Sequence, residues 1–290
     1  MTLRITPLHP LFAAEVDGLD LSLRFGASAP FGEATARALR DALREHRLLV
    51  FRGQRLSPAE QVEFTRAFGA PELHAVADLR SPGWPEVVPE GDGAGVRGGF
   101  GLGDLRWHAD LSWTPQPNRV SALHARTLPP AGGAATLFAD QCAAFDRLDP
   151  WLAYRVQFLD AEHDPARRLP ESGAAGAALP VAHPVVRVDP DTGRRGLFVD
   201  EDTTTRLLGV PDPEGAGLLH RLLDAATDPA VTYRHAWRPG DVVVWDNHAV
   251  LNRAEPRAAG PDWEMRRTMA AAAGRPYGPA QVTQPWVVAG

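Results

Sequence analysis

Two residues with metal-binding side chains lie two positions apart in the sequence Trp107-His108-Ala109-Asp110. We interpret this stretch as the end of a strand, in which residues i and i+2 point to the same side. The imidazole of His108 and the carboxylate of Asp110 are then neighbours. They supply two of the three protein ligands of a two-histidine, one-carboxylate triad, which holds non-haem Fe(II) and leaves three coordination positions open.

The composition is that of an ordinary globular protein with a sizeable core. Of the 290 residues, 44% are hydrophobic and 23% are charged. The net charge of −6 argues against a nucleic-acid surface, and no apolar run approaches the length of a membrane span. The 27 glycines and 27 prolines predict many turns and long loops, as in an elaborated β fold.

The termini and the cysteine content favour a cytoplasmic protein. The first residues, Met1-Thr2-Leu3-Arg4, lack the apolar core of a signal peptide. The single cysteine, Cys142, cannot form an intrachain disulfide, and we expect it to be a small buried apolar residue. Because no internal repeat or linker divides the chain, we expect one domain over residues 1–290.

Hydrophobic periodicity predicts helices and strands around the His-x-Asp pair. An amphipathic helix is predicted over residues 33–46 and a second long helix over 213–227. Between them, Ser57 with Pro58 and Glu60 predicts a capped helix that runs to about Phe68. Strands are predicted at 3–5, 14–21, 47–52, 119–125, 135–138, 183–188, 195–199, 231–237, 242–245 and from 266 onward.

A glycine-rich segment precedes the His-x-Asp pair. The stretch from Glu90 to Gly103 contains too many glycines to form a stable helix or strand on its own. It lacks the Gly-Lys-Ser/Thr sequence of a phosphate-binding loop. We interpret residues 90–106 as a flexible flap.

The order of these parts resembles the taurine/2,4-dichlorophenoxyacetate dioxygenase family of Fe(II)- and 2-oxoglutarate-dependent oxygenases. The resemblance covers nearly the whole chain and implies a mostly β fold with flanking helices, a distorted double-stranded β-helix (jelly roll). Seven blocks carry it, in the family's order: Trp-His-x-Asp at 107–110, Gly-Gly-x-x-Thr-Leu-Phe at 132–138, His-Pro-Val-Val-Arg at 183–187, Gly-Leu-Phe-Val-Asp-Glu at 196–201, Thr-Thr-Arg at 204–206, Pro-Gly-Asp-Val-Val-Val-Trp-Asp-Asn at 239–247 and Met-Arg-Arg-Thr at 265–268.

The resemblance implies a role for each matching residue. His108 and Asp110 are similar to the first histidine and the carboxylate of the iron triad. Thr136 and Arg267 are similar to the residues that bind the carboxylates of 2-oxoglutarate, and a planar guanidinium suits a carboxylate; the alternative is that both are ordinary strand residues. His74 falls where the family often has a substrate-facing residue, with an exposed loop histidine as an equal alternative.

The resemblance breaks at the third iron ligand. The family has a histidine five residues past Trp-Asp-Asn, and this chain has Asn252 there, fifteen residues before Arg267. One interpretation is an impaired or metal-poor site, natural or engineered. A second is that Asn252 is an unusual but working ligand, since an amide oxygen is a harder and weaker ligand than an imidazole. A third is that His248 substitutes for it, across about 13 Å of extended chain.

A second departure concerns the substrate. In sulfonate-using members of the family an arginine lies four residues before the 2-oxoglutarate arginine, and here that position is Trp263. Taurine and similar sulfonates are therefore in doubt. An indole at this position favours an apolar or aromatic substrate face, or simple packing.

The sequence predicts an oxygenase that uses Fe(II), 2-oxoglutarate and O2 on an unactivated C–H bond of a small organic molecule, not obviously a sulfonate. The alternative is an iron-impaired member of the family that acts as a binding protein or a non-redox enzyme, because a fold does not fix a function. No nucleic-acid or membrane partner is expected. The resemblance favours a homo-oligomer.

Overall fold

The computed structural model describes residues 3–22, 32–91, 106–128, 135–167, 179–256, 263–274 and 278–279. The strands in these ranges are β1 (Arg4–Pro7), β2 (Ala14–Asp17), β3 (Leu48–Phe51), β4 (Pro71–Glu72), β5 (Val88–Gly91), β6 (Val120–Thr127), β7 (Ala135–Asp140), β8 (Asp160–His163), β9 (Val181–Pro184), β10 (Val186–Val188), β11 (Arg195–Leu197), β12 (Thr204–Leu207), β13 (Thr232–Ala236), β14 (Val242–Asp246), β15 (Val250–Ala254) and β16 (Glu264–Ala270). The α-helices are α1 (Glu33–His46), α2 (Pro58–Arg66), α3 (Gln141–Asp146), α4 (Pro150–Val156) and α5 (Glu214–Ala226).

Two sheets, antiparallel except for the parallel pair β2–β3, form the expected jelly roll. The larger sheet has eight strands in the order β1-β2-β3-β14-β6-β16-β4, with β5 also paired to β16. The smaller sheet has the order β13-β7-β15. Strands β8, β9 and β12 form a third sheet, and β10 pairs with β11 as the predicted hairpin. The prediction of a mostly β fold with flanking helices is confirmed.

Strand β14 shows why the core divides into layers. It is paired on both edges, with β3 and with β6, and all five of its residues are buried. Because side chains alternate across a sheet, Val242 and Val244 pack into a cluster with helix α1, whereas Val243 and Trp245 pack with Phe138 of the smaller sheet. The space between the two sheets is therefore lined by alternate residues of β14, β6 and β16.

The helices cover the outside of the roll. Helix α1 buries Leu39 and Leu43, as its periodicity predicts. Helix α2 begins with the predicted capping box of Ser57 and Glu60. It ends two residues earlier than predicted, because the amides of Ala67 and Phe68 bond three residues back and tighten the last turn.

The predicted flap is wrong at its N-terminal end. Glu90 and Gly91 belong to strand β5, whose residues Val88–Gly91 pair with β16 from Glu264 to Arg267. Partner hydrogen bonds compensate for the low intrinsic stability of the glycine there. Residues 92–105 of the predicted flap lie outside the described residues. Within the described ranges, no helix is long and apolar enough to cross a membrane.

Candidate active site

His108 lies opposite Asn252 in the folded chain. The backbone N–H of His108 donates to the carbonyl of Asn252 at 3.0 Å, and the N–H of Asn252 donates to the carbonyl of His108 at 2.8 Å. The prediction that His108 lies on a strand is wrong, because this pair is an isolated antiparallel bridge. In such a pair both side chains project from the same face. Asn252 therefore occupies the position expected for the third ligand.

The side chains of His108 and Asp110 are buried and adjacent. His108 Nε2 lies 3.7 Å from Asp110 Oδ1. The other ring nitrogen, Nδ1, is 3.0 Å from the carbonyl oxygen of Arg106. Because a carbonyl only accepts, Nδ1 carries a hydrogen, and Nε2 is the ring nitrogen that faces Asp110 and is placed for a metal.

Asn247, in the turn after β14, makes two hydrogen bonds to the backbone of Asp110. The amide of Asn247 accepts the Asp110 N–H at 2.8 Å and donates to the Asp110 carbonyl at 2.8 Å. The next residue, Leu111, has a φ of 54°, which is unusual for a residue with a side chain. Sequence reasoning missed this role of Asn247, although the Trp-Asp-Asn block drew attention to the segment.

Arg267 joins two buried carboxylates. Its Nη1 donates to both carboxylate oxygens of Asp110, and its Nε donates to Glu90 Oε1 at 2.5 Å. Ser121 donates a further hydrogen bond to Asp110. Glu90 was missed because it begins a glycine-rich segment, and only the pairing of β5 with β16 brings it to the site.

A pocket opens beside this charged group. Its polar lining consists of His74, Glu90, Asp110 and Arg267, and its apolar lining of Val88, Leu111, Trp113 and Met269. His74 is 6% exposed, and its Nδ1 accepts the N–H of Val76 at 3.1 Å. The alternative of an exposed loop histidine at this position is therefore wrong.

Thr136 and Trp263 lie among the buried apolar residues between the two sheets. The hydroxyl of Thr136 accepts a hydrogen bond from Trp237 Nε1 at 2.9 Å. Trp237 and Trp263 belong to the same buried apolar cluster, between the two sheets. Of the two interpretations of Trp263, this environment favours packing. Arg267 lines the pocket with His74, and its guanidinium carbon also lies 5.4 Å from the ring centre of Trp245, a member of the same apolar cluster.

His248 is placed away from His108 and Asp110. Its Nε2 donates to the carbonyl of Pro117 at 3.1 Å. It lines a second pocket, together with Arg119 and Arg187. Burial, and then the charges of these two arginines, hold the pKa of His248 well below its usual value. The structure does not support His248 as a substitute ligand.

The side chains of His108, Asp110 and Asn252 suit a metal ion that is bound by two good ligands and one weak ligand. In the part of the chain that the structure describes, no cluster of three His, Cys, Asp or Glu residues suited to a metal is present. Next to the pair of His108 and Asp110, the amide Nδ2 of Asn252 donates to the backbone carbonyl of His108 at 3.2 Å. Nitrogen and oxygen donors of this kind fit Fe(II). The residues present therefore fit iron, at lower affinity than a two-histidine triad.

The chain is similar to known proteins in both sequence and structure. The model of the "Taurine catabolism dioxygenase TauD, TfdA family" matches residues 4–269. The chain is 34% identical over 288 residues to an alpha-ketoglutarate-dependent 2,4-dichlorophenoxyacetate dioxygenase of Burkholderia sp. (strain RASC), covering 92% of this chain and 94% of that protein. It is 32% identical over 276 residues to an (S)-phenoxypropionate/alpha-ketoglutarate-dioxygenase of Sphingobium herbicidovorans, covering 90% of each.

Solved structures share the whole fold. A putative alpha-ketoglutarate-dependent taurine dioxygenase from Burkholderia xenovorans superposes with a TM-score of 0.80 at 29% identity, covering 96% of this chain and 92% of that one. AAD-2 in complex with Mn(II) and N-oxalylglycine superposes with a TM-score of 0.77 at 28% identity, covering 96% of this chain and 100% of that one.

Proposed function

The chain belongs to the taurine catabolism dioxygenase TauD, TfdA family, and we propose that it oxidises an unactivated C–H bond of a small organic acid that is not a sulfonate. Fe(II) is the cofactor of this family and 2-oxoglutarate its cosubstrate; bound together, they would supply the electrons that activate O2, as 2-oxoglutarate is oxidised to succinate and CO2. The observation that carries the proposal is the pocket in which a buried cation, Arg267, lies between the candidate metal ligand Asp110 and an apolar wall.

We propose that His108, Asp110 and Asn252 hold the iron. Asp110 is fixed on its backbone by Asn247 and on its carboxylate by Ser121 and Arg267. Such outer contacts keep a ligand in place before the metal arrives. His108 offers its Nε2, and Asn252 faces it across the bridge.

Arg267 is the proposed carboxylate-binding residue. A guanidinium binds a carboxylate through a planar pair of hydrogen bonds. Both 2-oxoglutarate and an acidic substrate carry this group, and the relatives named above act on phenoxy acids. Thr136 stays the proposed second contact of 2-oxoglutarate, and His74 a substrate contact. Trp263 is proposed to act through packing.

The substrate class is tested by measuring succinate release. Protein with Fe(II), 2-oxoglutarate and O2 is mixed in turn with 2,4-dichlorophenoxyacetate, (S)-phenoxypropionate and taurine. We expect the phenoxy acids to raise succinate release above the rate without substrate, and taurine to leave it unchanged. Stimulation by taurine alone would overturn the proposed substrate class.

The variant Arg267→Gln tests which of the two acids, 2-oxoglutarate or the substrate, binds to Arg267. Dissociation constants for 2-oxoglutarate and for 2,4-dichlorophenoxyacetate are measured separately, anaerobically, in the wild type and the variant. Loss of affinity for 2-oxoglutarate alone identifies the cosubstrate as the ligand of Arg267, and loss for the phenoxy acid alone identifies the substrate. Unchanged affinity for both would contradict the proposed role of Arg267.

One observation favours a second candidate function. Asn252 is a weak ligand, and the guanidinium of Arg267 already neutralises Asp110, so a metal ion competes with an internal cation for the same carboxylate. An iron-impaired family member that binds a small acid without oxidising it would have this arrangement. It is distinguished by acid binding without succinate release.

A further inference from the structure

A second buried arginine, Arg187 on strand β10, lies outside the candidate active site. It is 4% exposed, and within the described ranges neither of its Nη atoms has a hydrogen-bond partner. Its guanidinium carbon lies 4.1 Å from the centre of the Phe198 ring. Burial lowers the pKa of Arg187 to about 9, which still leaves it charged at neutral pH. A buried charge with unsatisfied donors is strongly unfavourable unless something binds it.

The neighbouring carboxylates are already engaged. Arg119 donates to Asp246 Oδ2 at 2.9 Å and also contacts Asp189 Oδ2. The second oxygen of Asp246 accepts the N–H of His248 at 2.9 Å, and the second oxygen of Asp189 accepts the turn N–H groups of the β10–β11 hairpin. These two aspartates balance Arg119 and do not bond Arg187.

Arg187 lines a small cavity that carries excess positive charge. The cavity is about 30 Å³, and a water needs roughly 10–15 Å³ of such space. The charged residues around it are three arginines (Arg119, Arg187 and Arg194) and two aspartates (Asp189 and Asp246), which together carry a net charge of +1. Cys142 also lines it, but burial raises the pKa of its thiol to about 12 and it brings no negative charge.

We propose that this cavity binds a small monovalent inorganic anion, such as chloride, on the guanidinium of Arg187. One negative charge cancels the excess of +1, and the Nη groups supply its hydrogen bonds. Water would satisfy those donors but would leave the charge uncompensated. A doubly charged phosphate would exceed both the charge and the space.

The proposed anion lies behind the candidate metal site. Asp246 and His248 line the cavity, and the residue between them, Asn247, holds the backbone of Asp110. Anion binding is therefore expected to stabilise the turn that positions Asp110. The anion is not expected to touch substrate, and the proposal does not depend on the proposed function.

The test is thermal unfolding of the full chain at constant ionic strength, with sodium gluconate replaced stepwise by sodium chloride. We expect the melting temperature to rise saturably by about 4 °C, since a ligand that binds only the folded state stabilises it. The rise is expected to vanish in Arg187→Met and to persist in the matched variant Arg195→Met, which removes an exposed arginine of the same hairpin that does not line the cavity.

A melting temperature independent of chloride, or an equal rise in Arg187→Met, would overturn the proposal and leave ordered water as the occupant. A second measurement covers the case in which Arg187→Met does not fold. Crystals of the wild type grown in bromide are expected to show an anomalous peak within hydrogen-bonding distance of Arg187. No peak there, with bromide bound elsewhere, contradicts the anion site.

Discussion

Arg267 and Arg187 are both almost fully buried, at 7% and 4% exposed, but they lie in opposite electrostatic environments. Arg267 contacts two buried carboxylates, Asp110 and Glu90. Arg187 contacts an aromatic ring, and its nearest aspartates are engaged by Arg119. Around Arg267 the two carboxylates carry more negative charge than one arginine cancels. Around Arg187 the carboxylates carry less negative charge than the arginines need.

This difference shows what each pocket still requires. Arg267 and its two acids together carry a net charge of −1, which favours the approach of a cation to Asp110. The cavity at Arg187 has a net charge of +1, which favours an anion. The surroundings of the two arginines therefore favour different first ligands: a cation at Asp110, whose charge then allows Arg267 to bind an acid, and an anion at Arg187 itself.

The largest expected effect comes from removing the charge of Arg267. Arg267→Gln leaves Glu90 and Asp110 buried as neighbouring carboxylates, and breaking a buried ion pair from one side typically costs about 3–5 kcal/mol. We expect that loss in the free energy of unfolding, measured with denaturant on the metal-free protein. The control Arg126→Gln breaks the exposed pair with Glu264 and should cost at most about 1 kcal/mol. Equal costs would contradict the account of Arg267.

A smaller effect on the free energy of unfolding is expected from His124, a buried histidine that stays uncharged in the folded protein. Burial lowers the pKa of His124, on strand β6, to about 4, so the folded protein holds it neutral. The unfolded chain binds its proton near pH 6.5, so stability falls as the pH drops from about 6.5 towards 4. This histidine is expected to contribute roughly 2 kcal/mol of that fall.

The pH effect is measured by denaturant unfolding at pH 7 and pH 4.5. We expect His124→Gln to flatten the difference between the two pH values relative to the wild type. The exposed His220, which lies beside Asp224 on helix α5, provides the control variant His220→Gln. If both variants keep the full difference, buried His124 is not its source.

The charge of Glu90 is expected to tune the affinity for acids. Glu90→Gln removes one negative charge from Arg267 with little change of shape, so an acidic ligand should bind about tenfold tighter, or 1.4 kcal/mol. The dissociation constant of 2,4-dichlorophenoxyacetate, measured by calorimetry, checks this. Glu264→Gln, on the exposed side of β16, is the control and should change nothing. Weaker binding in Glu90→Gln would show that Glu90 helps to hold the ligand.

The smallest effect is expected at Arg187 in the absence of chloride. Arg187→Met removes a buried charge without separating an ion pair, and loses only the contact with Phe198. We expect the free energy of unfolding to stay within about 1 kcal/mol of the wild type in gluconate buffer. A loss as large as that in Arg267→Gln would erase the contrast between the two arginines.

Much of the fold was predictable because its signals are local. The capping box at Ser57, the amphipathic stripe of helix α1 and the apolar run of β14 each depend on neighbours in the sequence. The hairpin around Asp189 and Gly193 follows from turn residues whose conformation is nearly fixed, including the φ of 70° at Gly193.

The site was predictable only where a motif existed. His108 and Asp110 follow from their spacing, and Asn252 from its position after Trp-Asp-Asn. Glu90, Asn247 and the grouping of Arg267 with His74 depend on contacts between residues far apart in the chain. The sequence pattern carries no record of which strand pairs with β16, so these contacts were not accessible.

The central claim is that His108, Asp110 and Asn252 form a working but weakened iron site. The direct test is an anaerobic titration with Fe(II) and 2-oxoglutarate, followed by visible absorption, in the wild type and in Asn252→His. We predict a metal-to-ligand charge-transfer band in both proteins, with iron binding at least about tenfold tighter in the variant. A band in the variant alone would favour the iron-impaired alternative, and no band in either protein would contradict the account.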